Sequence, residues 1–262
     1  MSVAEDKRRL KLTIAYDGQP WQGWQSQPNG LSIQDQIQTA LGVVAKVPLI
    51  IIEGSGRTDA GVHALAQIAH CDVPETLNMQ PHNWVRALNA VLPPSIRVQA
   101  CEFAASDFHA RFQTKGKVYR YRIWRGDTMS PFEVKRAWHV YGLLDIDLLR
   151  RCARRLIGTH NFARLSANRG DLSEALRRAD PRTTTRTIQR VDITESENVL
   201  TLEFEGSGFL YKMVRMITGS LIQVARGRDN EAWFADLLDD PSGVKTNQCA
   251  LPDGLYLVRV DY

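Results

Sequence analysis

One run of the chain concentrates residue types suited to chemistry: Gly54-Ser55-Gly56-Arg57-Thr58-Asp59-Ala60-Gly61 sets three glycines around one arginine and one aspartate. Glycines let a backbone turn tightly and approach a ligand. An aspartate held there can act as nucleophile or base. It can equally cap a backbone amide, as turn aspartates do. The spacing argues against two nucleotide cradles, because Gly54-x-Gly56 lacks the further glycine of a dinucleotide fingerprint and no Gly-Lys-Ser/Thr is present. Gly206-Ser207-Gly208 lacks the nucleophile-elbow pattern and has no obvious histidine partner, so serine hydrolysis is unsupported. His63 and His109 have no second ligand at metal spacing, which favours hydrogen bonding over zinc, and no metal is expected.

These residues need elements to hold them. Residues 48–53 read as a strand delivering the chain into the glycine-rich run, and residues 67–73 as a strand beyond it. Residues 10–16 form an earlier strand ending at the turn signal Asp17-Gly18. Ser32 with Asp35 three positions on resembles a capping box. It opens a helix over about 33–46, where Ile33, Ile37, Ala40, Leu41 and Val44 recur at helical spacing. Pro81 begins a helix reaching Leu92, and residues 96–103 return as a strand. Residues 117–125 have strand period, with Tyr119, Tyr121 and Ile123 on one face and Arg120, Arg122 and Trp124 on the other.

Further on, Leu149, Cys152, Ala153 and Leu156 make a helical apolar stripe that leaves Arg150, Arg151, Arg154 and Arg155 outward. Residues 158–187 lack sustained periodicity, contain six arginines and suggest a long exposed excursion of the kind that often serves function. Strands over 188–194, 199–205 and 255–260 and helices over about 209–225 and 231–238 complete the pattern. On the first of these helices Arg215 falls with Gly208, Tyr211 and Lys212. That face lies away from the stripe Met213, Met216, Ile217, Ser220, Leu221 and Val224. No repeat or linker divides the chain. The expected architecture is α+β, with two intimately packed halves, residues 1–110 and 111–262, sharing a central sheet.

Hydrophobic residues at 44% and charged residues at 24% are ordinary globular values. No apolar stretch approaches the ~20 residues of a membrane helix. The amino end carries charges where a signal core would be apolar, so a cytoplasmic protein without membrane contact is expected. The four cysteines are scattered without a Cys-x-x-Cys pair. Net charge is only +4, yet residues 111–190 hold 19 basic and 7 acidic side chains, a surplus of 12, which leaves the remainder net acidic. Arginine outnumbers lysine 25 to 8, and its planar fork suits phosphates and base faces. One region is suited to a polyanion.

The glycine-rich run continues as Val62-His63-Ala64, and the whole resembles the Gly-Arg-Thr-Asp-Ala-Gly-Val-His-Ala signature of the tRNA pseudouridine synthase A family. Other blocks look like that family's, in its order: Tyr16-Asp17-Gly18, Gly23-Trp24-Gln25, Ser32-Ile33-Gln34, Phe108-His109-Ala110-Arg111-Phe112, Tyr119-Arg120-Tyr121, Met213-Val214-Arg215 and Gly254-Leu255-Tyr256-Leu257. The resemblance implies a pseudouridine synthase fold with a largely antiparallel sheet, helices on one side and a homodimeric assembly. It also implies isomerisation of uridine at positions 38, 39 and 40 of the tRNA anticodon stem-loop, without a cofactor.

By the same resemblance Asp59 is the nucleophile, Tyr119 stacks on the extruded uracil and Arg215 is the cation of the site. Substrate contacts fall to Arg57, Phe108, His109, Ala110, Arg111, Phe112 and Leu255, with Arg125 placed by approximate position only. The stretch Arg169 to Arg178 is longer than the family's usual connection, and Arg182 and Arg186 are further contacts where the pattern resumes. Asp59 has two routes open, direct attack on the ribose carbon or removal of a neighbouring proton to give a glycal. Two rivals stand beside this reading: the same chemistry at another RNA site, and a noncatalytic RNA-binding module. The joint presence of Asp59, Tyr119 and Arg215 argues against the second, since backbone binding needs none of them.

Overall fold

The computed structural model describes residues 7–168 and 184–262. The chain forms two compact units. One runs through Lys115 and resumes from Tyr256 to Tyr262, and the other spans Gly116–Leu255. The division thus lies a few residues beyond the expected 110/111 boundary, and the strand at the end of the expected second half belongs with the first unit.

In the first unit, β1 (Lys7–Tyr16) pairs antiparallel with both β3 (His63–Pro74) and β4 (Ile96–Phe103). The short β2 (Ile52–Gly54) lies antiparallel on β3, and β10 (Leu255–Asp261) runs parallel to β3 with Tyr256 opposite His63. Leu10, Leu12 and Ile14 alternate into the core along β1 and are fully buried. Each such side chain contributes about 1.5–3 kcal/mol. Helix α1 (Ile33–Ala45) adds Ile33, Ile37 and Leu41, and α2 (Pro81–Val91) adds Trp84 and Leu88.

The capping box holds. Asp35 N–H donates to Ser32 Oγ at 3.1 Å while the Ser32 hydroxyl donates to the Asp35 carboxylate at 2.6 Å. Pro81 occupies the first turn of α2, where its missing N–H costs nothing. The expected strand over 48–53 shrinks to Ile52–Gly54. The chain leaves α1 through Lys46 in the left-handed region (φ 56°) and only its last residues reach β3. Leu49 and Ile51 stay 57% exposed.

In the second unit, β5 (Gly116–Trp124), β9 (Val199–Gly206), β8 (Thr185–Glu195) and β7 (Gly158–Asn161) pair antiparallel in that spatial order, and β6 (Trp138–His139) runs parallel beside β5. Helix α3 (Ile146–Arg154) packs on α4 (Met213–Ala225) and α5 (Glu231–Asp239). Its expected stripe of Leu149, Cys152, Ala153 and Leu156 is buried, as is the α4 stripe. Helix α4 starts at Met213, after Lys212 in the left-handed region (φ 58°). Gly208 and Tyr211 are therefore not on a helical face with Arg215.

The expected exposed excursion over 158–187 is corrected for its described part. Gly158–Asn161 is strand β7, and Phe162, Leu165 and Arg164 are buried. The Arg164 guanidinium donates to the carbonyls of Asp236 (2.7 Å), Asp240 (2.9 Å) and Val244 (2.8 Å), which satisfies a charge that burial would otherwise penalise. Arg182 and the insertion from Arg169 onward lie outside the described residues.

Candidate active site

The loop carrying Asp59 follows β2 and precedes β3, and other parts of the first unit fix it from several directions. Tyr16, at the end of β1, shares a 2.9 Å hydrogen bond between its phenol and the Thr58 hydroxyl, and both side chains are buried. Burial pushes the Tyr16 phenol far above its ordinary pKa, so it stays protonated. The Thr58 carbonyl accepts from Trp24 N–H at 3.1 Å. Ser55 Oγ donates to Gln67 Oε1 at 2.6 Å, and Gln67 Nε2 donates to the Gly56 carbonyl at 2.8 Å.

Two glycines make the approach possible. A Cβ on Gly23 (φ 89°) would stand 2.6 Å from the Thr58 oxygen, and one on Gly18 would stand 2.0 Å from the Val62 oxygen. Both contacts are with backbone, which cannot yield. The blocks Tyr16-Asp17-Gly18 and Gly23-Trp24-Gln25 are thus the walls of the Asp59 loop. Beside it His63 is buried, accepts from Gly18 N–H at 3.2 Å and stacks on Tyr256 with centroids 4.6 Å apart. Asp59 itself is half-buried, its carbonyl closing a turn with Val62 N–H at 3.1 Å, and Arg57 is exposed.

The Phe108–Phe112 block divides into anchor and surface. Ala110 is fully buried, donating its N–H to His70 Nδ1 at 3.3 Å and accepting the Tyr262 hydroxyl at 2.5 Å, so it holds the block in place. Phe108 rests against Tyr262 at 5.1 Å. Phe112 is 75% exposed, with the His109 ring tilted against it at 4.2 Å and the Arg111 guanidinium 5.6 Å from its ring. These three present a cationic and aromatic surface suited to nucleic acid.

The fold also gives His109 neighbours that sequence spacing hid: Glu53, His70 and His109 bring ligand atoms within 4.8 Å of one another. The hydrogen bonds set the rings for donation instead of coordination. Both Nδ1 atoms accept backbone N–H groups, His70 from Ala110 and His109 from Arg111 at 3.1 Å. A neutral ring with an accepting Nδ1 keeps its proton on Nε2, the atom a metal would need bare. His109 Nε2 instead faces Glu53 Oε2 at 3.3 Å. Burial, then His109 and Arg9, lower the pKa of His70 and keep it neutral.

In the second unit Tyr119 lies on β5 opposite Phe204, half-buried and edge-on to Phe209 at 5.0 Å. Tyr121 and Ile123, on its face of the strand, are fully buried, so Tyr119 sits where that core meets the surface. Arg215 on α4 donates from Nε to the Ala250 carbonyl at 2.9 Å, which fixes the base of its guanidinium, and its main-chain carbonyl accepts Ala250 N–H at 3.0 Å. Leu255 is buried. Arg125 pairs with Glu195 at 3.0 Å, and Arg186 donates to the Thr185 carbonyl at 2.6 Å.

A family model described as tRNA pseudouridine synthase matches residues 12–113 and 152–262, which take in the Asp59 loop, the Phe108–Phe112 block and Arg215. The chain belongs to this family. Its members are isomerases that act on uridine in tRNA, and that is the reaction class of this enzyme. The chain is 40% identical over 255 residues to the tRNA pseudouridine synthase A of Akkermansia muciniphila, covering 97% of this chain and 95% of the relative. It is 38% identical over 264 residues to that of Bordetella parapertussis, covering 97% and 90%. A Geobacter sulfurreducens relative of the same name is 38% identical over 255 residues, covering 97% of this chain and all of its own length, 100%. Among the described residues no helix is long and apolar enough to cross a membrane.

Proposed function

We propose that this enzyme converts uridine to pseudouridine at positions 38, 39 and 40 of the tRNA anticodon stem-loop, with Asp59 as its nucleophile. The observation that carries the proposal is a carboxylate on a glycine-rich loop fixed by buried hydrogen bonds, inside the family's signature. Catalytic groups gain most when their geometry is set before the substrate arrives. A uracil inside a stem cannot be reached, so the target nucleotide leaves its stack. Asp59 then drives cleavage of the glycosidic carbon–nitrogen bond, by attack on the ribose carbon or by removal of a neighbouring proton. The uracil turns, its C5 bonds to the ribose carbon as the aspartate is displaced or returns its proton, and C5 then loses its proton while N1 gains one.

Tyr119 offers a ring face for the flipped base, worth about 1–3 kcal/mol, and Arg215 is the cation of the site. Arg57, Arg111 and Phe112 meet the RNA from exposed positions, and Arg186 is a further contact. The enzyme works as a cytoplasmic homodimer. Incubating the purified protein with unmodified tRNA and mapping nucleosides by mass spectrometry tests the proposal. Pseudouridine at 38–40 is expected. Pseudouridine elsewhere overturns the assigned positions, and tRNA binding without any isomerisation overturns the catalytic assignment.

The basic surplus of residues 111–190 serves this role only in part, because much of it is paired with carboxylates, most of them beyond residue 190. Arg125 and Arg150 meet Glu195, Arg120 and Arg190 meet Glu203, and Arg151 and Arg155 meet Glu231. The bond from Arg155 holds the Glu231 carboxyl below its ordinary range. Arg154 is exposed and pairs with no carboxylate of the described residues. Each phosphate neutralised by a free cation adds about 0.9 to the slope of log affinity against log salt. Arg154→Gln should therefore flatten that slope for tRNA, measured between about 50 and 200 mM salt, and Arg155→Gln should flatten it less. Identical slopes for wild type and Arg154→Gln would remove α3 from the RNA surface.

A further inference from the structure

Beneath the Asp59 loop lies a cluster of polar side chains where apolar ones would be cheaper to bury. Tyr16, Ser55, Thr58 and Gln67 are 4%, 1%, 7% and 0% exposed, and their mutual bonds end on the backbone or side chains of residues 55–58. They form two bonded pairs, Tyr16 with Thr58 and Ser55 with Gln67, and Gln67 reaches on to the Gly56 carbonyl. The register of β1 against β3 shifts between Ile14 and Tyr16, an irregularity that turns the end of the strand toward the loop. Among these residues Thr58, the one joined by its peptide bond to Asp59, is gripped at both its side chain and its carbonyl. The Thr58 hydroxyl meets Tyr16 and its carbonyl meets Trp24 N–H.

We infer that Thr58 is a positioning residue for Asp59, its hydroxyl and carbonyl clamped by Tyr16 and Trp24 so that the following carboxylate keeps one aim. This rests on the assignment of Asp59 as nucleophile. Two bonds on one residue, one at its side chain and one at its carbonyl, fix its peptide plane and with it the direction in which the next side chain leaves the backbone. Stability alone does not call for this arrangement, since a valine at 58 and a phenylalanine at 16 would fill the same volume with no polar group to satisfy. What the hydroxyl pair adds is direction.

The test compares Thr58→Val, which is nearly isosteric but lacks the hydroxyl, with Thr58→Ser, which keeps it. Single-turnover pseudouridine formation and tRNA affinity are measured for each, with thermal melting to follow folding. Thr58→Val should slow the chemical step roughly 10- to 100-fold, the size of effect that a small misplacement produces. Its tRNA affinity should stay within about threefold of wild type. Thr58→Ser should recover most of the rate.

Tyr16→Phe should slow the step as Thr58→Val does, and the double variant should be no slower than the slower single, because both remove the same contact. If Thr58→Val does not fold, Tyr16→Phe, which loses one oxygen and no apolar surface, carries the comparison. A wild-type rate in the variant that folds, a loss shared equally by rate and affinity, or a loss that serine does not recover overturns the inference. Asp59→Asn runs alongside. If it is inactive while Thr58→Val is fully active, only the positioning inference fails; if it retains activity, the nucleophile assignment fails and takes this inference with it.

Discussion

Asp59→Asn should abolish pseudouridine formation while leaving tRNA affinity and melting temperature close to wild type. The amide has the shape of the carboxylate but can neither attack nor accept a proton. The loop's form is also held by other bonds, its turn closing through the Asp59 carbonyl and its walls built by Tyr16, Trp24 and Gln67. Loss of the chemical step without loss of binding identifies a group that acts only once the reaction begins. Nucleoside mapping after prolonged incubation is the measurement. Activity above about a tenth of wild type would remove the nucleophile assignment.

Tyr119 should separate into two functions under substitution. Its ring is braced edge-on by Phe209 at 5.0 Å, so Tyr119→Phe keeps the packed face and loses only the oxygen. That variant should bind tRNA nearly as wild type does and, if the hydroxyl moves a proton, stall between glycosidic cleavage and loss of the C5 proton. Tyr119→Ala removes the stacking surface as well, at about 1–3 kcal/mol, and should lose both base placement and turnover. A tRNA carrying 5-fluorouridine at the target, which has no C5 proton to lose, reports whether the phenylalanine variant completes the early steps. Full activity in both variants would return Tyr119 to an ordinary strand residue bordering a core.

Much of the fold is legible in the amino-acid sequence because local chemistry and tertiary packing agree. Ser32 and Asp35 mark the start of α1, Pro81 the start of α2, and the apolar stripes of α3 and α4 are the buried faces. Periodicity fails where packing overrides it. It extends α4 back to residue 209, though Lys212 turns left-handed and delays the helix to Met213. It also makes the stretch around Arg164 look exposed, since a buried guanidinium satisfied by three carbonyls resembles a surface charge when only the residue type is seen.

The site divides the same way. The signature points to Asp59, but nothing in the spacing of Tyr16, Trp24 and Gln67 tells that they grip its neighbours, because those bonds cross between strands and loops. The approach of Glu53 and His70 to His109 is likewise a product of β2, β3 and the Phe108–Phe112 block meeting in space. A signal is present for Tyr16 and Trp24 as members of the Tyr-Asp-Gly and Gly-Trp-Gln blocks, which form the walls of the loop, while Gln67 carries none.

The return of β10 to the first unit sets a timetable for biosynthesis. Tyr256, which stacks on His63 and pairs beside it, leaves the ribosome only after the whole of Gly116–Leu255 has been made. At about 5–20 residues per second, the wait is on the order of ten seconds. For that interval β3 follows the Asp59 loop with β1 and β2 in place and β10 still missing. A nascent chain arrested before Tyr256 would therefore expose the edge of β3 and the His63 ring together, a surface suited to recognition by chaperones and proteases.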